Sequence, residues 1–193
     1  MESAPVLFRQ LGLAERYLWR IDRISCLNTA AMATVSGVFD ETRLRGALEE
    51  IQHRQPLYRA AIVVDKNGHP RLEPRSACPI ALTIRDCAPT AWQAEIQRWL
   101  AVPFSEAEAP LLRWVWLRGN SVSLVALIAH HTIMDGRSLT YLMKTLFAHL
   151  SDRPLKDREH APALPEPVEQ RYPTVFRGAS GLLGWEKCWA WGV

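Results

Sequence analysis

Several features are scarce in this chain of 193 residues, and each scarcity removes a class of protein. Charge of one sign comes first: 23 lysines and arginines face 20 aspartates and glutamates, a net of +3, and no basic run is present. The electrostatic footprint of a nucleic-acid binder is missing, so nucleic acid is not an expected partner. Long apolar runs are missing too. The longest, Leu124 to Ala129, falls far short of the ~20 residues that a membrane-spanning helix needs, so no transmembrane segment is predicted. The opening stretch, MESAPVLFRQLGLAER, carries an early acid and no continuous apolar core. It does not read as a signal peptide, and a cytoplasmic protein is expected. The four cysteines, Cys26, Cys78, Cys87 and Cys188, include no C-x-x-C pair. This argues against a zinc knuckle or a disulfide framework and fits a reducing compartment. A G-x-S-x-G elbow is also lacking, which argues against a serine hydrolase of the α/β type; Gly178-Ala179-Ser180 is not one.

What is present has the composition of an ordinary folded protein. Hydrophobic residues make up 48% and charged residues 22%, far from a disordered chain. The length fits one domain, able to bury roughly 70% of its unfolded surface. Strand and helix patterns alternate without internal repeats, which predicts an α/β class. Residues 10 to 24, QLGLAERYLWRIDRI, mix apolar and charged positions at near-helical spacing. Residues 28 to 38 lack charge and read as a strand. Asp40 then makes a good N-cap for a helix in which Leu44, Ala47, Leu48 and Ile51 recur on one face. Pro56 ends that helix, and LYRAAIVVDKNGHPRLEP supplies a strand, an Asn67-Gly68 turn and a return strand.

Further along, Ile80, Leu82 and Ile84 alternate as a half-buried strand does. Thr90 and Gln93 have capping-box spacing before a helix whose apolar stripe is Trp92, Ile96, Trp99 and Leu100, a stripe expected in the core. PLLRWVWLRGNSVSLVALIAHH gives two apolar strands around a Gly119-Asn120 turn. Leu139, Leu142, Met143, Leu146, Phe147 and Leu150 then make a strongly amphipathic helix. From Ser151 the pattern dissolves into a stretch with Pro154, Pro162, Pro165, Pro167 and Pro173. The expected organisation is a folded subdomain over 1-150 and a proline-rich linker with a truncated tail over 151-193.

The chemistry concentrates in LIAHHTIMDGRS, residues 127 to 138, where His130 and His131 end a strand just before a helix. Side chains at such a junction open onto a crevice in α/β folds. Adjacent strand residues face opposite ways, so the two imidazoles need different roles: one toward the crevice as a proton acceptor, the other turned inward to hold the loop. A neutral imidazole suits the removal of a proton from an alcohol or amine attacking a carbonyl. Asp135 could orient that imidazole or anchor the loop through an arginine, and Gly136 presents no side chain, so a ligand could pass close to the backbone. The plainer alternative is that the pair is structural or merely exposed. Metal ligation is disfavoured, because opposite-facing histidines chelate poorly and no further His or Glu lies close by to complete the sphere.

The pattern His130, His131, Thr132, Ile133, Met134, Asp135, Gly136 resembles the H-H-x-x-x-D-G signature of the condensation-domain superfamily of CoA- or carrier-protein-dependent acyltransferases. LGLAERYLWRID, FDETRLRGALEEIQHRQPLYRAAI and PLLRWVWLRG resemble that family's segments, in the family's order. The layout is most similar to the polyketide-associated, phthiocerol dimycocerosyl transferase-like acyltransferases. The resemblance implies a chloramphenicol-acetyltransferase-like fold, a mixed β-sheet flanked by helices, with His131 as general base and Asp135 as a structural anchor. His130 would support the loop, beside Gly136. It implies no cofactor and no metal. The donor substrate would be an acyl-CoA or the thioester of a phosphopantetheinyl carrier protein, and the acceptor an alcohol or amine. Members of the family have two similar halves, and the resemblance covers residues 8 to 150, the first half.

Two functions follow as expectations. One is an acyltransferase, or the motif-bearing half of one. The other is a non-catalytic remnant or interaction module, whose uncovered face binds a partner chain or a second copy of itself. The segment Gly181 to Val193, with Leu182, Leu183, Trp185, Trp189 and Trp191, is expected to contribute to such association.

Overall fold

A charge-free run such as Leu124 to Ala129 needs apolar cover on both faces, and the architecture supplies it. The computed structural model describes residues 8–37, 40–105, 107–151, 164–167 and 170. In chain order the elements are β1 (Arg9–Gln10), α1 (Leu13–Asp22), β2 (Asn28–Ser36), α2 (Glu41–Arg54), β3 (Ala60–Val64), β4 (Pro70–Pro74) and β5 (Leu82–Asp86). After these come α3 (Trp92–Leu100), β6 (Leu112–Arg118), β7 (Val122–His130) and α4 (Gly136–Leu150). The strands form a mixed sheet in the order β2-β7-β6-β5 and a smaller antiparallel sheet in the order β1-β4-β3.

The hairpin β6–β7 is the centre of the larger sheet, and its register sorts the core into two layers. Trp114 lies opposite Leu127 and Trp116 opposite Val125; these four face α2 and α4. Val115 opposite Ala126 and Leu117 opposite Leu124 face the other way, onto Ile96 of α3. Strands buried on both faces read as continuous apolar runs, which is why this segment shows no alternation. The helices read as their spacing predicts. Leu44, Ala47, Leu48 and Ile51 are the buried residues of α2, and Leu139, Leu142, Met143 and Leu146 those of α4. Asp40 caps α2 by accepting from the Thr42 N–H at 2.9 Å. Trp92, Trp99 and Leu100 pack against the second layer, as expected.

Two local readings change. Thr90 and Gln93 do not form a capping box: residues Pro89–Ala91 make a short 3₁₀ turn, α3 starts at Trp92, and its N-cap Ala91 has no side chain to bond the first turn. Pro89 pre-sets the tight turn that displaces the start. β5 pairs with β6 in parallel, a direction the sequence pattern did not specify. Helix α3 is the crossover that a parallel pair requires.

Beyond α4, Leu164 packs against the first core layer and the Pro165 carbonyl accepts from Arg9 Nε at 2.5 Å. Arg9 also clamps Glu15 through two bonds of 2.7 and 2.6 Å. The tryptophan-rich segment Gly181 to Val193 lies outside the described residues.

Candidate active site

The motif occupies the turn between β7 and α4, and its two histidines are held in contrasting ways. His130 is the last residue of β7, paired in register with Asn28 at the start of β2, and it is 4% exposed. Its Nε2 lies 3.1 Å from Asp22 Oδ2, and its Nδ1 accepts from the Thr132 N–H at 3.2 Å. A nitrogen that accepts from an amide carries no proton, so the hydrogen of neutral His130 sits on Nε2 and points at Asp22. Burial pushes the imidazole below its usual value of 6.5, outweighing the opposing pull of the Asp22 carboxylate. His130 is therefore the neutral inward member of the pair.

His131 follows in the turn and is part-buried, its backbone N–H donating to the Leu27 carbonyl at 3.1 Å. Its Nδ1 is sheltered from water and has no hydrogen-bond partner among the described residues. Ile133 N–H closes the turn onto the His130 carbonyl at 3.1 Å.

Asp135 is the N-cap of α4, its carboxylate accepting from the Ser138 N–H at 2.7 Å. The hydrogen bond from the Ser138 side chain, followed by that from its backbone, holds the carboxyl below the usual 3.8. Anchorage thus runs to the backbone of the helix that the motif begins. Gly136 is the first residue of that helix, and a Cβ built on it would meet nothing within 4 Å. The space beside it is open.

Sequence reasoning missed three residues that build this site. Asp22 ends α1, and its Oδ1 also accepts from the Leu27 N–H at 2.7 Å. The signal was present, because a carboxylate at a helix C-terminus opposes the helix dipole and needs another reason to be there. Phe104 stands 6.0 Å from the His130 ring, and Arg113 fixes it from β6. The Arg113 guanidinium lies 3.8 Å over the Phe104 ring and donates to the carbonyls of Val102 and Pro103 at 2.7 and 2.9 Å, and to Glu108 at 2.9 Å. Asn28 adds bonds to the carbonyls of Leu100 and Val102, so the loop after α3 is tied to β2, the strand that pairs with the motif's own.

Two cavities flank the turn. One of about 590 Å³ lies along α2 and α4 and is lined by Arg54, Tyr58, Asp135, Arg137, Tyr141 and His149, among others. The other, about 280 Å³, is lined by Trp19, Asp22, Ile62, Phe104, Leu111 and His130 among others. His131 lines neither. Among the described residues no cluster of three or more His, Cys, Asp or Glu could hold a metal ion, and no helix is long and apolar enough to cross a membrane.

Comparison with known proteins follows the same lines. The family described as Condensation domain matches residues 21–167. A probable non-canonical nonribosomal peptide synthetase, CymA, of Salinispora arenicola (strain CNS-205) is 26% identical over 173 residues, which is 86% of this chain and 2% of the synthetase. Among solved structures, the tallysomycin biosynthesis protein TlmII superposes with a TM-score of 0.66 at 22% identity, over 77% of this chain and 39% of that one. The first condensation domain of the calcium-dependent antibiotic synthetase, solved with a substrate analogue, gives 0.64 at 17% identity, over 95% and 45%. The chain spans less than half the length of each.

Proposed function

Because the chain belongs to the condensation-domain family, we propose that it contributes the histidine-bearing half of an acyl-transfer site, with His131 as the general base. An amine or alcohol attacks the carbonyl carbon of a thioester while its proton passes to the imidazole of His131. The tetrahedral intermediate then expels the thiolate, which takes the proton back. The C–S bond breaks, the new amide or ester bond forms, and no step calls on a cofactor or a metal. The likeness to synthetases favours a carrier-protein thioester as donor and nonribosomal peptide assembly as the setting. The polyketide-associated layout of the sequence favours an acyl-CoA donor and an alcohol acceptor, and a donor panel separates the two.

One observation carries this reading. His130 spends both ring nitrogens inside the protein, whereas Nδ1 of His131 has no hydrogen-bond partner among the described residues. A positioned base of this kind contributes about 10²- to 10⁴-fold to a rate. The chain is to be incubated with acyl-CoA and acyl-carrier donors and a panel of amines and alcohols, beside His131→Ala. A loss of that size in the variant is expected, and equal turnover for both proteins refutes the assignment.

A partner-binding reading has its own support. Helix α1 buries none of its residues, and Leu13, Tyr17 and Ile24 are 69%, 65% and 89% exposed on or just after it. Such a face suits a second chain, whether a copy of this one or a separate second half. Light scattering that finds only a stable monomer, alone and with a separately supplied second half, counts against it.

A further inference from the structure

We infer that Asp22 is a positioning residue, which sets the tautomer of His130 and through it the turn that presents His131. The inference rests on the reading of His131 as the base only for its consequence in catalysis; the tautomer itself is a property of the folded chain.

The argument is one of donors and acceptors. From Asp22 a line of hydrogen bonds runs through His130 to the motif turn: Asp22 Oδ2 faces His130 Nε2 at 3.1 Å, and His130 Nδ1 faces the Thr132 N–H at 3.2 Å. The Thr132 N–H can only donate, so Nδ1 must accept, and the ring proton must lie on Nε2. That proton needs an acceptor at the one place where Asp22 supplies it. Both side chains are largely dry, at 5% and 10% exposure. A buried polar group left unpaired costs far more than the bond it formed was worth. The carboxylate's second oxygen is held by the Leu27 N–H at 2.7 Å, and the Leu27 carbonyl accepts the His131 N–H at 3.1 Å. Asp22 therefore reaches the catalytic candidate by two routes: through His130 to Thr132 on one side of it, and through Leu27 to its own backbone amide.

The charged and titratable groups packed around His130 leave it no comparable alternative. Arg113 is engaged by Glu108 and two backbone carbonyls, His131 adds only a weak repulsion, and Phe104 offers no acceptor atom.

Asp22→Asn is the sharp test because it keeps shape and turns one acceptor into a donor. The amide oxygen can still accept from the Leu27 N–H, while the NH₂ now faces His130 Nε2. For that contact to survive, the ring proton must move to Nδ1, where it confronts the Thr132 N–H. Long-range ¹H–¹⁵N correlation spectra distinguish the two tautomers directly. In the wild-type chain His130 is expected to show a protonated Nε2 and a bare Nδ1. In Asp22→Asn the pattern should invert, with exchange of the Thr132 amide about ten-fold faster as its bond is lost. In the acyl-transfer assay turnover should fall with KM unchanged, since the base is misplaced without loss of substrate contacts.

A wild-type His130 that carries its proton on Nδ1 overturns the inference without any variant, which covers the case in which Asp22→Asn does not fold. So does an Asp22→Asn chain whose tautomer and Thr132 exchange match wild type. If the tautomer inverts but His131→Ala leaves turnover untouched, the assignment of the base fails and the role of Asp22 in holding the turn stands.

Discussion

Replacing Asp135 tests whether the motif's carboxylate acts as a helix cap. Its oxygen satisfies the Ser138 N–H, one of four first-turn amides of α4 with no partner inside the helix. Loss of such a cap costs about 1 kcal/mol, and Asp135 is exposed, so water can solvate the freed amide and keep the cost near that figure. Part of it, about 0.3–1 kcal/mol, is the attraction of the negative charge to the helix N-terminus. Asp135→Ala loses both contributions, whereas Asp135→Asn keeps an acceptor oxygen and loses only the charge. In a chain of this size 1 kcal/mol corresponds to about 2–4 °C in Tm. Thermal melts at pH 7 should therefore rank wild type above Asn and Asn above Ala, with a drop of about 2–4 °C for Ala. Acid adds a second check. The folded carboxyl titrates below its usual 3.8, so its contribution is whole above that pH and is lost as pH falls through the lowered folded value. The gap between wild type and Asn should close in that acid range. An unchanged Tm for Asp135→Ala, or a loss for Asn that equals or exceeds it, refutes the cap.

Two further outcomes are expected. Folding favours neutral His130, so stability is whole above the usual 6.5 and declines as pH drops through the lower folded value; His130→Gln should flatten that part of a urea-midpoint profile, and parallel slopes for both proteins contradict the burial argument. Arg113→Met leaves Glu108 and two carbonyls without their donor and Phe104 without its cation, a cost of about 3 kcal/mol in urea unfolding; a change below about 1 kcal/mol would mean that the loop holds by itself.

Much of the fold was legible because its core is built from short periodic segments. The buried faces of α2 and α4 are the residues their spacing picks out, and the β3–β4 and β6–β7 hairpins turn where Gly68 and Gly119 allow. At Gly68 the backbone has a φ of +81°, and at Gly119 a Cβ would lie 2.4 Å from the Val122 carbonyl oxygen, so each turn needs glycine for its own reason. Within the site, strand alternation suggested different roles for His130 and His131, although β7 ends at His130 and His131 already lies in the turn. What each of them touches was not legible, because Asp22, Phe104 and Arg113 lie 108, 26 and 17 positions before His130 and come together around it only when α1, β6 and the loop after α3 have assembled. Pattern reports on neighbours in sequence; an inward histidine is defined by neighbours in space. The α3 start was misread for a related reason, since Thr90 has a capping side chain but Pro89 had already committed the backbone to a tighter turn.

The bond from Arg9 to the Pro165 carbonyl joins residues 156 positions apart. A contact of such separation has the largest loop to close and gains nothing until the intervening strands and helices have formed, so it belongs to the end of assembly. Among the described residues, the two-residue β1 and the short segment 164–167 that meet there hold few bonds of their own, so this clasp is expected to open early under native conditions. A label on Arg9's strand would thus follow the final step of folding, while the amides of β7 follow the whole.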